Sequence, residues 1–474
     1  VSTFSALNTA STALWAAQRG LDVTGQNVAN VNTEGYSRQR VELRATGGTA
    51  VPAIHSVSSA VGSGVDADRV TRIRDVFLER RAQTETARTA ALTVASDVLG
   101  QVETALREPG ESGLQAVLAE VWNGFSALSN DSTETGARRQ VLERLDTLAA
   151  GMRTTRATLD EQWTQTHDDL QALVAEVNAT ASSVAELNAA IRTATRAGLS
   201  TNELSDRRDA LVVRLAGQVG GTAVSAADGM VDVVVGGSAL VSGGDTLRLE
   251  LAGGADPDAV AAGDLPRVVT APGGTALAVG GSAGGQLGVL TTILPTYRGK
   301  LDQLARDLVQ DLNAVQAAGF DATGAPGGVL MDDGTGNPAL VTAATITLRA
   351  TDPAQLAADA NAPAGAGGAV SADGRNADAF SRLGLASDGV DATYRAMVVA
   401  LGVESSVAAR DLQVQTVIST QVDAARESVS GVNLDEEMTS MLSFQHAYSA
   451  AARMVTAIDE ALDTLISRTG LVGR

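Results

Sequence analysis

Residues 7–31, LNTASTALWAAQRGLDVTGQNVANV, set apolar or small side chains at seven-residue intervals. Leu7, Leu14, Leu21 and Val28 fall on one line, and Ala10, Ala17, Thr24 and Val31 on a second line three residues on. That spacing is the seam of a helix that packs lengthwise against another helix. The far end of the sequence repeats it. In residues 434–465, Leu434, Met441, Tyr448, Val455 and Leu462 form one line, and Phe444, Ala451, Ile458 and Leu465 the other. Two coiled-coil-like helices at opposite ends of the chain are therefore expected to pair. Their outer faces are unusual: Val1 to Gln18 holds no charged residue, and Met438 to Ile458 holds only Arg453. A helix facing water normally carries charge on its outer side, so small, mildly polar helices suit enclosure by several protein neighbours.

Between the ends the periodicity predicts further long helices. The longest runs from about Glu134 to Arg196, with seam residues Val141, Leu145, Leu148, Met152, Leu159, Trp163, Leu170, Leu173, Val177, Val184, Leu187 and Ile191. At 1.5 Å per residue it spans roughly 90 Å. The spacing changes to four and four at Thr155, Leu159 and Trp163, a stutter that relaxes a supercoil locally. Shorter helices are expected over Arg72 to Leu106, Leu114 to Leu128, Tyr297 to Val315 and about Tyr394 to Val422. From about Gly217 to Gly281 glycine becomes frequent, and Leu247, Leu249 and Leu251 alternate with polar residues in the two-residue period of a strand. Gly236-Gly237 suits a hairpin turn, and Gly280, Gly281, Gly284 and Gly285 read as a linker closing this insert. Residues Gly319 to Gly384 read as irregular, with a strand pair around Ile346 and Leu348 and an Ala/Gly loop over Asn361 to Gly368.

The expected fold is thus multidomain and mainly α. Residues 1–45 with 430–474 form a terminal coiled coil, 46–216 with 282–429 an elongated helical bundle, and 217–281 a small inserted β domain. Composition narrows the function. Thirty-five Lys and Arg stand against 55 Asp and Glu, a net charge of −20, with no basic patch. Nucleic acid and anionic membrane surfaces are therefore poor partners. Cysteine is absent, which removes disulfides, thiolate nucleophiles and thiolate metal sites. No apolar run approaches the roughly 20 residues that span a bilayer, and the first residues lack a secretory signal pattern.

Behind the first helix comes Ala29-Asn30-Val31-Asn32-Thr33-Glu34-Gly35-Tyr36-Ser37-Arg38-Gln39. Asn30 and Gly35 tolerate left-handed backbone, so the segment can stop the helix and turn the chain. Tyr36 then docks while Val41 and Leu43 alternate in an extended stretch. At the other end Asn433 can cap the last helix, with Asp435, Glu436 and Glu437 in its first turn, where the positive end of the macrodipole favours carboxylates. The cap accounts for these acids without catalysis. His55, His167 and His446 have no second histidine three or four residues away, so they read as ordinary polar residues. Asp332, Asp333, Gly334 and Asn337 lack the full spacing of a calcium loop and read as a solvated turn. No cofactor, metal or catalytic site is expected.

The segment after the first helix also resembles the ANxxTxGYxRQ signature of flagellar rod, hook and hook-junction proteins. Three further stretches resemble the hook-associated protein 1 family: Asp206-Arg207-Arg208-Asp209-Ala210-Leu211, Gly285-Gln286-Leu287 with the helix through Tyr297 to Asn313, and Ser430 to Met438 followed by Gln445 and Tyr448. The resemblance covers both ends and most of the helical middle, and is weak over Gly221 to Leu277 and Gly319 to Gly384. It implies a structural subunit that polymerises at the hook-filament junction. Its neighbours would be copies of itself, hook protein on one side and hook-associated protein 3 on the other. The resemblance also implies an export chaperone on the C-terminal helix and passage through the flagellar type III apparatus to the cell exterior. The residues expected to carry assembly are Leu7, Leu14, Leu21, Val28, Asn30, Gly35, Tyr36, Arg38, Gln39, Asn433, Leu434, Met441, Phe444, Tyr448, Val455, Ile458 and Leu462. The alternatives are another axial subunit of hook or rod, or a type III exported coiled-coil adhesin or effector.

A two-helix pair with so few large side chains buries little, so the ends are expected to fold fully only on assembly. Hydrogen exchange on the soluble chain should show weak protection over residues 5–25 and 440–462; strong protection there would count against it.

Overall fold

A computed structural model describes residues 3–46, 62–362 and 373–469. His55 and most of the expected Ala/Gly loop lie outside them. The chain is mainly α. Helix α1 (Thr3–Ala29) leads through a turn to strands β1 (Gln39–Thr46) and β2 (Gly64–Arg72), an antiparallel pair. Helices α2 (Val76–Leu106), α3 (Leu114–Asn130), α4 (Thr135–Arg196) and α5 (Asn202–Val219) follow. Next come strands β3 (Thr222–Ser225), β4 (Val231–Val235), β5 (Ser238–Ser242), β6 (Asp245–Thr246) and β7 (Arg248–Ala252), short helix α6 (Pro257–Ala261) and strand β8 (Arg267–Ala271). Helices α7 (Gly281–Gly288) and α8 (Leu294–Ala318) precede strands β9 (Met331–Asp332) and β10 (Thr347–Leu348). Helices α9 (Arg375–Leu383), α10 (Val390–Ser430) and α11 (Leu434–Thr469) complete the order.

The 62-residue helix α4 is the spine. Its apolar stripe from Val141 to Ile191 is buried, Thr155, Leu159 and Trp163 of the stutter included. Leu173 and Leu187 are half-buried instead, because Val174 and Asn188 beside them take the core positions. Two asparagines on α4 fasten the β insert. Asn178 exchanges both amide bonds with the backbone of Leu249 at 2.8 Å each. Asn188 donates to the carbonyls of Val231 and Gly243 and accepts from the Val231 N–H. A carboxamide matches the donor and acceptor of a strand edge, which a hydrophobic seam residue cannot.

The insert is an antiparallel β3-β4-β5-β6 sheet beside a β7-β8 pair. Gly236 and Gly237, at φ 55° and 85°, make the turn between β4 and β5; two successive positive φ angles favour glycine. Arg298 on α8 grips α6, donating to the Pro257 carbonyl at 2.6 Å and to Asp258 at 2.8 Å.

Two expectations are corrected. The glycine run is no linker: Gly281 to Gly288 form helix α7, which packs closely on α2. A Cβ on Gly285 would lie 2.9 Å from the Ala91 carbonyl, so glycine here permits helix-helix contact. Nor is Asp332 a solvated turn residue. It is buried in β9, where it pairs with Arg349 and accepts from the Gly334 N–H, each at 2.8 Å, while Asp333 accepts from the N–H groups of Thr335 and Asn337 in the exposed turn.

Residues 289–293 form a π turn between α7 and α8. Pro295 follows it, and its ring and missing N–H disrupt the regular ladder four residues back. The Trp163 indole, fully buried on α4, donates to the Leu290 carbonyl at 3.0 Å. Trp163→Phe should cost about 1 kcal/mol through the lost hydrogen bond, and Trp163→Ala about 3–5 kcal/mol through the cavity, both read from denaturant unfolding of the full chain.

Candidate interaction site at the chain ends

Helices α1 and α11 lie along each other. Ala10, Ala17 and Thr24 of the second seam line are buried between them, and Leu7, Leu14, Leu21 and Val28 are half-buried. On α11 Ala451 is buried, and Met441, Phe444, Val455, Ile458 and Leu462 are partly covered. Gly20 makes the close approach possible: a Cβ there would sit 2.5 Å from the Phe444 ring. Leu434, Tyr448 and Leu465, expected on the seam, stand exposed at 47%, 38% and 48%. So do residues outside the expected set, Trp15 at 68%, Met438 at 60%, Leu442 at 52% and Met454 at 51%. Their signal in the sequence is apolarity off the seam within the two charge-poor stretches, residues 1–18 and 438–458.

The lower end of this pair is locked by a polar cluster. Asn27 on α1 is almost fully buried and uses its whole amide. Its Nδ2 donates to the Gln39 carbonyl at 2.9 Å and to Glu437 at 3.0 Å. Its Oδ1 accepts from the Tyr36 hydroxyl at 2.8 Å and the Gln39 N–H at 3.0 Å. Arg38 then reaches α11: its Nε donates to Glu437 at 2.7 Å and its Nη1 to Glu436 at 2.6 Å, while its backbone N–H donates to the Ser430 carbonyl. Asn433 caps α11, accepting from the N–H groups of Asp435 and Glu436. Glu437 therefore does more than sit near a helix start. It is a buried carboxylate held by two donors from the other end of the chain.

The turn itself follows from Asn30 and Gly35. The Asn30 amide donates back to the Gln26 carbonyl and its Oδ1 accepts from Thr33; Gly35 takes φ 78°. The Tyr36 hydroxyl is pushed up to about 12 by burial first, then by the charges of Asp206 and Glu437. It therefore remains a donor to Asn27. Arg38 is held above its ordinary value because Glu436 and Glu437 outweigh the cost of its burial.

A second cluster ties this end to the helical middle. Arg72 at the end of β2 donates to Asp206 and Asp209 on α5, each at 2.8 Å. Arg74 pairs with Asp209 and, at 2.9 Å, with Glu79; Arg426 on α10 reaches Glu79 at 3.2 Å. Arg208 pairs with Asp209 and donates to the Gly229 carbonyl of the β insert at 2.7 Å. Gln39 joins through Asn202, which also binds the Val70 carbonyl. Burial raises the Asp209 pKa, but Arg208, Arg74 and Arg72 more than reverse it and hold the carboxylate below its ordinary range. Asn27, Arg72, Arg74, Glu79 and Arg426 escaped sequence reasoning, since their partners lie far away along the chain.

Among the described residues no cluster of three His, Asp or Glu could hold a metal ion, and no helix is long and apolar enough to cross a membrane. His167 stacks on Trp163 at 5.3 Å between ring centroids.

A chain whose two ends pair as long helices, locked by the turn behind α1 and carrying a helical rod with a β insert, has the plan of a flagellar axial protein. Residues 7–36 match the flagella basal body rod protein family, 426–468 the flagellar basal body rod FlgEFG protein C-terminal family, and 99–331 the helical domain of flagellar hook-associated protein FlgK. Flagellar hook-associated protein 1 of Bacillus subtilis is 31% identical over 523 residues, covering 100% of both chains. That of Escherichia coli is 25% identical over 98% of this chain and 99% of its own. In fold, the flagellar hook junction protein from Burkholderia pseudomallei superposes with a TM-score of 0.62 at 16% identity, covering 74% of this chain and 100% of that one. The chain belongs to the flagellar hook-associated protein 1 family, and is a structural component of the bacterial flagellum.

Asp209→Asn should lower the stability of the joint at pH 7 by about 3 kcal/mol, because it leaves arginines uncompensated. A carboxylate whose folded pKa is depressed contributes stability that is present above its unfolded value, about 3.9, and lost as pH falls through the folded one. Thermal melts should therefore show the wild-type advantage at pH 7 shrinking progressively below about pH 4.

Proposed function

We propose that this chain is the subunit that joins hook to filament, and that it assembles through α1 and α11. The carrying observation is the apolar surface that the pair leaves uncovered: Trp15 on α1 and Leu434, Met438, Leu442 and Met454 on α11. Isolated exposed apolar residues need no explanation, but this many on one helix pair, most of them in the charge-poor stretches 1–18 and 438–458, mark a surface meant for protein contact. A head-to-tail contact repeated with a screw rotation builds an open helical array, in which the ends of each subunit meet several neighbours.

In this reading Leu7, Leu14, Leu21, Val28, Met441, Phe444, Val455, Ile458 and Leu462 hold the pair together, while Leu434 and Tyr448 face adjoining subunits. Asn30, Gly35, Tyr36, Arg38, Gln39 and Asn433 set the angle between the pair and the rod. The neighbours are copies of this chain, hook protein on one side and hook-associated protein 3 on the other. The chain travels through the flagellar type III apparatus to the cell exterior, with an export chaperone covering the C-terminal helix beforehand. Its work is mechanical and not enzymatic.

Replacing Leu14 or Val455 with Asp places an unpaired charge in the pair, at a cost of roughly 3–5 kcal/mol. The rod and insert should keep their far-UV spectrum and melting transition. A deletion strain complemented with either variant should bear hooks without filaments and leak filament subunits into the medium. Normal swimming of such a strain would refute the role assigned to the ends.

A further inference from the structure

Helix α10 buries one side and leaves the other bare. Tyr394, Met397, Leu401, Gln415 and Val422 face inward, with Tyr394 and Leu401 almost fully buried and Gln415 donating to Glu85 on α2 at 2.8 Å. On the opposite side Val399, Val403, Val407, Val414 and Val417 are 60%, 59%, 46%, 54% and 53% exposed. At 3.6 residues per turn these five fall within an arc of about 80° and extend over about 27 Å. Arg410 is the only charged residue inside that arc. Beside the N-terminal end of the stripe a groove of about 320 Å³ opens between α8 and α10, its floor made by Leu304, Ala396, Met397 and Ala400 and its rim by Lys300, Gln303 and Thr393.

Valine is a poor choice for a solvated helix face. Its branched Cβ loses rotamer freedom in a helix, and its propensity falls below that of the Ala, Glu, Lys or Arg that would serve there. Five of them on one line make sense only if the line is covered. Five half-exposed valines present on the order of a few hundred Å² of apolar surface. That falls short of the roughly 800 Å² per partner that a stable pair needs. The stripe is too small to dimerise the free chain, and it suits one contact among several within an array. The net charge of −20 makes copies repel at a distance, so a charge-poor apolar strip is where two copies can touch at little electrostatic cost.

We propose that the valine face of α10, with the groove beside it, is a lateral contact on the rod that receives a second copy of this chain in the assembled junction. It is separate from the contact made by α1 and α11. The inference rests on the assembly reading above.

Because the chain has no cysteine, a single thiol reports on the face directly. Val407→Cys and, as a control on the outer insert, Glu250→Cys would be made in the full chain and treated with a polymer-linked maleimide. Both should react freely in the soluble protein. In isolated hooks carrying the junction, Val407→Cys should react at least tenfold more slowly, with Glu250→Cys unchanged. Val403→Asp with Val414→Asp should melt like the wild type, yet retain at least tenfold fewer filaments under shear. Unslowed labelling of Val407→Cys in junctions, or wild-type filament retention by the double variant, overturns this inference and leaves the assembly reading intact. Protection of Val407→Cys already in the free chain also overturns it, since the face would then be covered without assembly. Absence of the wild-type chain from hook ends removes both readings.

Discussion

Glu437 is a carboxylate with almost no access to water, and the arrangement of the chain ends depends on how it is neutralised. A buried ionised carboxylate is costly unless it is paired and hydrogen-bonded. Here both requirements are met from more than 390 positions away in the sequence, by Arg38 and by the Asn27 amide. The same Asn27 holds Tyr36 and the backbone of Gln39. One carboxamide and one carboxylate thus fix the start of α11, the last turns of α1 and the chain that leaves them. Helical seams can slide by a heptad at modest cost, whereas a buried polar cluster is satisfied in a single register.

From that point the polar ties continue outward. Arg38 binds the Ser430 carbonyl at the end of α10, Arg72 and Arg74 bind the aspartates of α5, and Arg426 closes the ring through Glu79. Arg208 extends it to the β insert. Whereas the insert shares the rod's apolar core through Val233, Leu240, Leu249 and Val268, the terminal pair is therefore joined to the rod by ion pairs that are mostly half-buried. Such a joint defines an angle more sharply than an apolar contact of equal size, because each arginine fork accepts its carboxylates in few orientations. A subunit in a tubular array must hold its parts at a defined angle while bearing load, and this joint is suited to that.

Apolar surface is distributed accordingly. The rod keeps large residues inside, with Trp163, Tyr297, Phe125 and Phe380 buried. The ends bury Ala and Gly and leave Trp15, Met438 and Leu442 outside. A helix pair that fully buries only small apolar side chains and half-covers its large ones gains little by itself from burial. It has most to gain from neighbours.

The seven-residue spacing of both ends, the length of α4 and the two-residue alternation of the insert were legible because periodicity is a local property of sequence and needs no partner to be read. The stutter at Thr155, Leu159 and Trp163, the turn at Gly236-Gly237 and the cap at Asn433 were legible for the same reason. What the sequence could not show is which distant groups meet. Glu437 looked like one more acid in a first turn, Asn27 carries no local pattern that marks it, and Gly280, Gly281, Gly284 and Gly285 looked like a linker. Asp332 looked solvated until Arg349 was placed beside it. Each of these depends on contacts between segments separated by tens to hundreds of residues, and only the folded chain decides whether a polar side chain is buried with a partner or a glycine lies against another backbone.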